Sequence, residues 1–268
     1  MKGNGVFSYH FANLARAPKL VQAVSGRLGG VSEGHLRSLN LSLVVNDRRE
    51  AVLENRRRLA EALAIPPGRL LKPRQVHGVD CLVVGSAETA AGLPGLEDSP
   101  LVADCLLTAE PDLYLFMTFA DCVPVLLHDP TRGVVGLAHA GWKGTLAGIA
   151  QRAVLVAREA FGSRPEDLLV GIGPSIGPCC YEVGEEVAEA ARRAFPKGAD
   201  LLARVAGGSV HLDLWRANAL QLEAVGVPAA NIEIAGTCSA CNVDRFFSHR
   251  REAGKTGRMG AVIGLRGG

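Results

Sequence analysis

Apolar residues along this chain fall into short runs, and the spacing within them alternates between two periods. Residues 21–27 form a compact apolar run that leads into Gly29-Gly30, a strand followed by a turn. From 47 to 64 the apolar positions repeat at helical spacing. Asp47 is placed to cap this helix, Glu50 to complete a capping box, and Pro66-Pro67-Gly68 to end it. Residues 70–76 and 81–85 are expected as two strands joined around His77-Gly78. Three nearly continuous apolar runs follow, at 113–119, 123–128 and 134–138. The turn sequence Asp129-Pro-Thr-Arg-Gly133 predicts a hairpin between the last two. Their lack of alternation predicts strands buried on both faces.

Helical spacing returns at 145–161, closed by Gly162, and again at 183–195 and 212–225. Strands are expected at 168–172, 232–235 and 259–265. Hairpins among helices favour a layered α+β sandwich over a doubly wound nucleotide fold. No GxGxxG follows a strand and no P-loop is present, so glycine-rich phosphate cradles lend no support.

The 268 residues, 48% of them hydrophobic, suffice to bury a large core, and one domain spanning 1–268 is expected. A formal net charge of +2 without a Lys/Arg block argues against a nucleic-acid footprint. The longest apolar run, 113–120, is far below the ~20 residues of a membrane span, and residues 1–20 hold no signal-like apolar core. A cytoplasmic protein, monomeric or weakly dimeric, without membrane or nucleic-acid partner is the default expectation. Seven scattered cysteines do not suggest a disulfide framework. Most are expected as small buried hydrophobes. Cys238-Ser-Ala-Cys241 is a CxxC with no second CxxC to complete a four-cysteine site, and the adjacent Cys179-Cys180 pair is poorly suited to share one tetrahedral ion.

Candidate chemistry concentrates where strand-like runs end. His77, Cys122 and His139 each sit at such a corner, followed or flanked by glycine or aspartate, where a ligand can approach the backbone closely. One thiol and two imidazoles would leave the fourth position of a tetrahedral metal open, as catalytic sites do. Their wide separation in sequence does not establish that they meet. If they do, the donors suit zinc or copper. A blue-copper site adds an axial Met, and no methionine follows Cys122 closely; His-x-His pairs of a multicopper oxidase are absent. Zinc is therefore favoured over copper. Asp121 is a candidate acid/base or a turn-forming residue. Gln75, two residues before His77, is a candidate substrate contact or an edge-strand polar group. Arg56 on the first helix and Arg250 with Arg251 near the end are candidate anion sites, with a solvated helix face as the alternative for the helical cluster of 56–58.

Several longer strings resemble one family. They are Ser25-Gly-Arg-Leu-Gly-Gly-Val-Ser-Glu-Gly34, Ser38-Leu-Asn-Leu41, Glu54-Asn-Arg56 and Gln75-Val-His-Gly78. Ala120-Asp-Cys122 with Pro124 follows, and then His139-Ala-Gly-Trp-Lys-Gly-Thr145. Last come Gly173-Pro-Ser-Ile-Gly-Pro-Cys-Cys-Tyr-Glu-Val183, Phe246-Phe-Ser-His-Arg-Arg251 and Thr256-Gly-Arg258. In this order they resemble the laccase-domain (YfiH-like) family, described both as polyphenol oxidases and as purine nucleoside phosphorylases. The resemblance implies a four-layer α/β/β/α sandwich with mixed sheets and a zinc site from His77, Cys122 and His139. It also implies phosphorolysis of purine nucleosides (inosine, guanosine, adenosine, methylthioadenosine), with adenosine deamination beside it. Purine nucleoside and phosphate would then be the partners, and Asn40, Arg56, Gln75, Lys143 and Arg250 the substrate contacts. Lys143 stands where Arg is also common, which keeps the charge but loses bidentate geometry. Cys241 departs from the family pattern. Other readings of the same residues are a cysteine-type hydrolase of peptidoglycan precursors, a copper-dependent phenol oxidase, and a metal-stabilised binding domain without catalysis.

Overall fold

The near-continuous apolar runs become strands that are covered on both sides. A computed structural model describes residues 5–85, 95–195, 200–205 and 207–267. Its strands are β1 (Ser8–Tyr9), β2 (Leu20–Ser25), β3 (Leu70–Leu71), β4 (Cys81–Val83), β5 (Cys105–Thr108), β6 (Tyr114–Phe119) and β7 (Val123–Asp129). Then come β8 (Val134–Ala140), β9 (Leu169–Ile172), β10 (Glu182–Val183), β11 (Leu202–Arg204), β12 (Val210–Leu212), β13 (Ile232–Ile234) and β14 (Met259–Leu265). The helices are α1 (Arg49–Ala62), α2 (Trp142–Leu146), α3 (Ile149–Phe161), α4 (Glu185–Ala194) and α5 (Leu214–Ala224).

Among the described residues the strands form a five-stranded sheet, β1-β2-β14-β6-β3, and a six-stranded sheet, β13-β9-β7-β8-β5-β4, with β10-β12-β11 as a small third sheet. Parallel pairs (β3–β6, β4–β5, β13–β9) lie at the edges and antiparallel pairs in the middle, so both large sheets are mixed. Period-two alternation sorts their side chains into layers. On β6, Leu115, Met117 and Phe119 point between the two large sheets, where they meet Leu126, Val135 and Leu137 of the other. Tyr114 and Phe116 of the same strand point the opposite way and pack with Leu59 and Ala60 of α1. On β7, Val123, Val125 and Leu127 face outward to Ala153, Val154 and Ala157 of α3 and to Leu222 of α5. The result is four layers: α1, sheet, sheet, and α3 with α5. The expected α/β/β/α sandwich is what forms. Truncating a fully buried ring such as Phe116 to Ala in such a core costs about 3–5 kcal/mol.

Several local expectations change under tertiary contact. Asp47 does not cap α1. Its carboxylate instead accepts hydrogen bonds from Ser32 Oγ (2.6 Å) and Asn40 Nδ2 (2.8 Å), and the helix begins two residues later without a side-chain cap. The helix expected over 145–161 starts earlier and breaks in two at Gly148, which takes a left-handed φ of 88° and separates α2 from α3. Gly162, at φ 67°, ends α3 as expected. The helices expected from 183 and 212 begin at Glu185 and Leu214, because Val183 and Leu212 are drawn into the third sheet. Asp213 then caps α5, accepting from the Arg216 amide at 2.9 Å. The strands on either side of His77 do not pair with each other. β3 joins the five-stranded sheet and β4 the six-stranded one. Residues 72–80 therefore cross between the sheets, which places His77 at their shared margin. None of the described helices is long and apolar enough to cross a membrane.

Candidate active site at the sheet margin

Strand register, more than sequence spacing, assembles the site. Pairing of β7 with β8 sets Val123 opposite Ala140 and Pro124 opposite His139. Cys122, one residue before β7, therefore lies beside Gly141. Pairing of β5 with β8 sets Cys105 opposite Ala138. Asp104 consequently lies beside His139, whose amide donates to the Asp104 carbonyl at 2.7 Å. The crossing segment brings in His77, and the ligand atoms of His77, Cys122 and His139 all lie within 4.8 Å of one another. The His77 and His139 rings meet edge to face, 4.8 Å between centroids.

Asp104 organises this centre, although the pattern of apolar runs in the sequence points only to the residues around it. It is wholly buried and accepts hydrogen bonds from the amides of Val76 (3.0 Å), His77 (3.0 Å) and Gly78 (2.7 Å), and from His139 Nδ1 (2.8 Å). Three convergent amides fold residues 76–78 around the carboxylate and hold His77 at φ 61°, a conformation a histidine rarely adopts unaided. The bond to Nδ1 fixes the His139 tautomer and leaves Nε2 free for Cys122 or an ion. One sequence signal marks this residue: the tripeptide Ala-Asp-Cys occurs twice, at 103–105 and at 120–122, each at the edge of a buried strand.

Burial alone would raise the Cys122 thiol, but the positive charge of His139 and hydrogen bonds from both imidazoles outweigh it and bring the thiol down to about 6. Burial likewise disfavours a charged His139, yet Cys122 and Asp104 together push it up to about 9. Without an ion, both shifts favour a thiolate beside an imidazolium. Gly141 allows this closeness: a Cβ there would stand 3.1 Å from Cys122 Sγ and 3.2 Å from His77 Cδ2. His77 is exposed, Cys122 half-buried and His139 buried, so the centre is open on one side only. It opens onto a cleft of about 590 Å³. Two imidazoles and a thiolate are a donor set for zinc. The two methionines of the described chain, Met117 and Met259, are wholly buried and neither lines the cleft, so no thioether is offered to copper.

The other candidates separate into those that face the cleft and those that do not. Asp121 and Gln75 line it, but both are engaged. Asp121 sits at φ 76° and accepts from Ser239 Oγ and the Arg250 amide, each at 2.6 Å, tying two loops together. The Gln75 amide group is pinned to the Thr118 backbone by bonds of 2.9 Å in both directions. Arg250 lines the cleft; its guanidinium donates to the Glu182 carbonyl and lies 5.1 Å from the Tyr181 ring centroid. Asn40 is wholly buried behind the wall and accepts from the Arg258 amide at 3.0 Å. Arg56 is also buried. It bonds the Leu41 and Leu96 carbonyls and pairs with Asp98 at 2.7 Å, so the structure places it in the support of the wall and not at an anion. Lys143 is exposed at the start of α2 and does not line the cleft, but its Nζ lies 5.6 Å from the ring centroid of Trp142, which does. Arg74, Arg258, Tyr181 and His249 also line the cleft. Arg74 is exposed, and its guanidinium has no hydrogen-bond or ion-pair partner among the described residues.

A partly open thiolate–imidazole centre below a cation-rimmed cleft, carried by two facing mixed sheets, defines an enzyme of the α+β class with a metal-competent centre. The sequence profile described as multi-copper polyphenol oxidoreductase laccase matches residues 21–266, and the chain belongs to this laccase-domain family. It is 44% identical to a Geobacillus stearothermophilus protein named purine nucleoside phosphorylase YlmD, over 93% of each chain. It is 36% identical to adenosine deaminase RL5 of an unknown prokaryotic organism, over 92% of this chain and 94% of that one. The crystal structure of YlmD from Geobacillus stearothermophilus superposes with a TM-score of 0.91 at 40% identity, covering 100% of this chain and 98% of that chain.

Proposed function

We propose that this protein is a zinc-dependent purine nucleoside phosphorylase, acting on nucleosides such as inosine, guanosine, adenosine and methylthioadenosine, with adenosine deamination as a second activity. The observation that carries the reading is the open three-ligand centre at the floor of a cleft whose rim holds cations. Relatives named for phosphorolysis and for deamination support it. The cleft, about 590 Å³, is of the size that holds small organic ligands.

His77, Cys122 and His139 would hold the ion, and a zinc ion bound there supplies Lewis-acid chemistry to the cleft. The remaining work falls to side chains. Phosphorolysis needs a bound phosphate on one face of the ribose and a proton for the departing purine on the other. Arg74, with Arg250 and Arg258, offers the positive charge for phosphate. Trp142 and Tyr181 offer aromatic surface to the purine. Asp121 accepts two hydrogen bonds, so its contribution is to fix the Arg250 and Ser239 loops. The His249 imidazole, on a residue that lines the cleft, has no hydrogen-bond partner among the described residues and is the group placed to hand over a proton. Zinc-loaded protein with inosine and phosphate should release hypoxanthine and ribose 1-phosphate. Absence of both products with zinc bound overturns the proposal.

A second reading has one observation in its favour. The lowered thiol of Cys122 beside His139 is also the pair of a cysteine hydrolase. An electrophile that labels Cys122 equally well with and without zinc would favour it. Protection of the thiol by zinc supports the metal centre.

A further inference from the structure

Two pairs of cysteines that lie far apart in sequence converge in the loops that wall the cleft. Cys179 and Cys180 lie in the loop after β9, and Cys238 and Cys241 in the loop after β13. Their four Sγ atoms all lie within 4.8 Å of one another. Cys241 Sγ is 3.6 Å from that of Cys179 and 3.3 Å from that of Cys180. Sulfurs bound to one tetrahedral zinc at about 2.3 Å stand roughly 3.8 Å apart, so the cluster is close to the size of an ion's thiolate shell. By sequence alone, adjacent cysteines are poor joint ligands. The turn at Pro178 brings both sulfurs towards Cys241 nonetheless.

The backbone favours the thiolate form of Cys238. Cys238 Sγ accepts the Gly177 amide at 3.3 Å and also the Cys241 amide. Amide donors to the first sulfur of a CxxC turn neutralise part of a bound thiolate's charge, whereas a disulfide sulfur accepts hydrogen bonds weakly. The loops are joined independently of the sulfurs: Ser175 pairs with Cys238 as an isolated bridge, and the Ser239 amide donates to the Ser175 carbonyl at 2.9 Å. Cys238 is buried, Cys180 half-buried, and Cys179 and Cys241 exposed, so an ion can reach the cluster from solvent. One disulfide would use only two of the four sulfurs, whereas a single ion uses all four.

We infer that Cys179, Cys180, Cys238 and Cys241 form a second, structural site for a single thiophilic divalent cation, zinc in particular. All four positions are filled by protein, so the site is closed to substrate. Binding releases the thiol protons to solvent and creates four metal–sulfur bonds without any change of oxidation state. The ion would clamp together the loop that carries Ile176 and Tyr181 and the loop that carries Ser239, His249 and Arg250, all at or beside the cleft.

Elemental analysis of the reduced, full-length protein tests this. The wild-type chain should carry about one equivalent of zinc more than Cys179→Ser/Cys241→Ser, and Cys241→His should keep it, since imidazole replaces thiolate as a ligand. Equal zinc in wild type and double serine variant overturns the proposal. So does a mass lower by one or two pairs of hydrogens in freshly purified protein, which would show disulfides instead. Should the double variant fail to fold, Cys122→Ala, which leaves the cluster intact, still decides the matter. Cobalt added to that variant should give the intense thiolate-to-cobalt absorption of a tetrahedral sulfur site, and its absence refutes the cluster as a metal site.

Discussion

Replacing Asp104 by Asn removes one charge and almost no volume, yet it should disable the centre. Each carboxylate oxygen accepts two hydrogen bonds: Oδ2 from the Val76 and Gly78 amides, Oδ1 from the His77 amide and His139 Nδ1. An asparagine has one accepting oxygen and one donating nitrogen. With the oxygen in the Oδ2 position, its nitrogen confronts the His77 amide. His139 can then bond only through an unprotonated Nδ1, which moves its proton to Nε2 and removes that atom as a ligand. With the oxygen in the Oδ1 position, two donors of the 76–78 turn confront a third, and the φ of 61° at His77 loses its support. The first orientation loses the His77 bond and reverses the His139 bond, and the second loses the Val76 and Gly78 bonds. At about 1–3 kcal/mol for each unsatisfied buried donor, partly relieved by water at the exposed turn, stability should fall by about 1–4 kcal/mol. Removing a carboxylate behind a ligating histidine weakens metal binding by about 10–100-fold, which is about 1.4–2.7 kcal/mol. Competition titration with a chromophoric chelator gives the affinity, and calorimetry the melting temperature. An Asp104→Asn variant with wild-type zinc affinity and wild-type melting temperature would refute the organising role assigned to this carboxylate.

Four further outcomes are expected. Gly141→Ala places a methyl 3.1 Å from Cys122 Sγ, and the resulting overpacking, about 1–3 kcal/mol, should appear mainly as weaker zinc binding in the same titration. In metal-free protein the Cys122 thiol is depressed and the His139 imidazolium raised, so their pairing stabilises the fold between about pH 6 and about pH 9. The thiol's share is lost as pH falls through about 6 and the imidazolium's as pH rises through about 9; thiolate ultraviolet absorbance that vanishes only below about pH 6, and persists to higher pH alone in His139→Gln, checks the sign. Arg74→Ala should raise the KM for phosphate by about tenfold or more with the melting temperature unchanged, as loss of an exposed, unpaired cation predicts, and an unchanged KM rejects Arg74 as the anion contact. Arg56→Met should do the reverse: it breaks a buried pair with Asp98 and costs about 3 kcal/mol of stability, read by denaturant titration, without changing the KM for phosphate in the folded fraction.

The strands and helices of this protein are largely written in its local pattern. The runs at 113–119, 123–128 and 134–138 are too short for spanning helices and too apolar for surface strands, so burial between layers is their one stable solution. Gly162 and the turn at 129–133 work through their own backbone preferences, and both act where expected. The donor residues His77, Cys122 and His139 could also be picked out, because polar, ligand-capable side chains at the ends of apolar runs are costly to place without a purpose.

What local pattern does not contain is register. The beta pairing Cys105–Ala138 and Pro124–His139 decides that Asp104, Cys122 and His139 meet, and a shift by one residue would send each to the opposite face. The same holds for Arg56, legible as a helical cation but turned by α1 into a wall where Asp98 and two carbonyls receive it. Asp47 has the spacing of a cap and is taken instead by Ser32 and Asn40, which compete for the same oxygens from a distant segment. Cys179 and Cys241, 62 residues apart, become neighbours only because two loops leave adjacent strands at the same end of one sheet. Propensity and periodicity act over a few residues and set the elements. Convergence of side chains across tens of residues depends on how those elements pack, and that is settled only when the whole core closes.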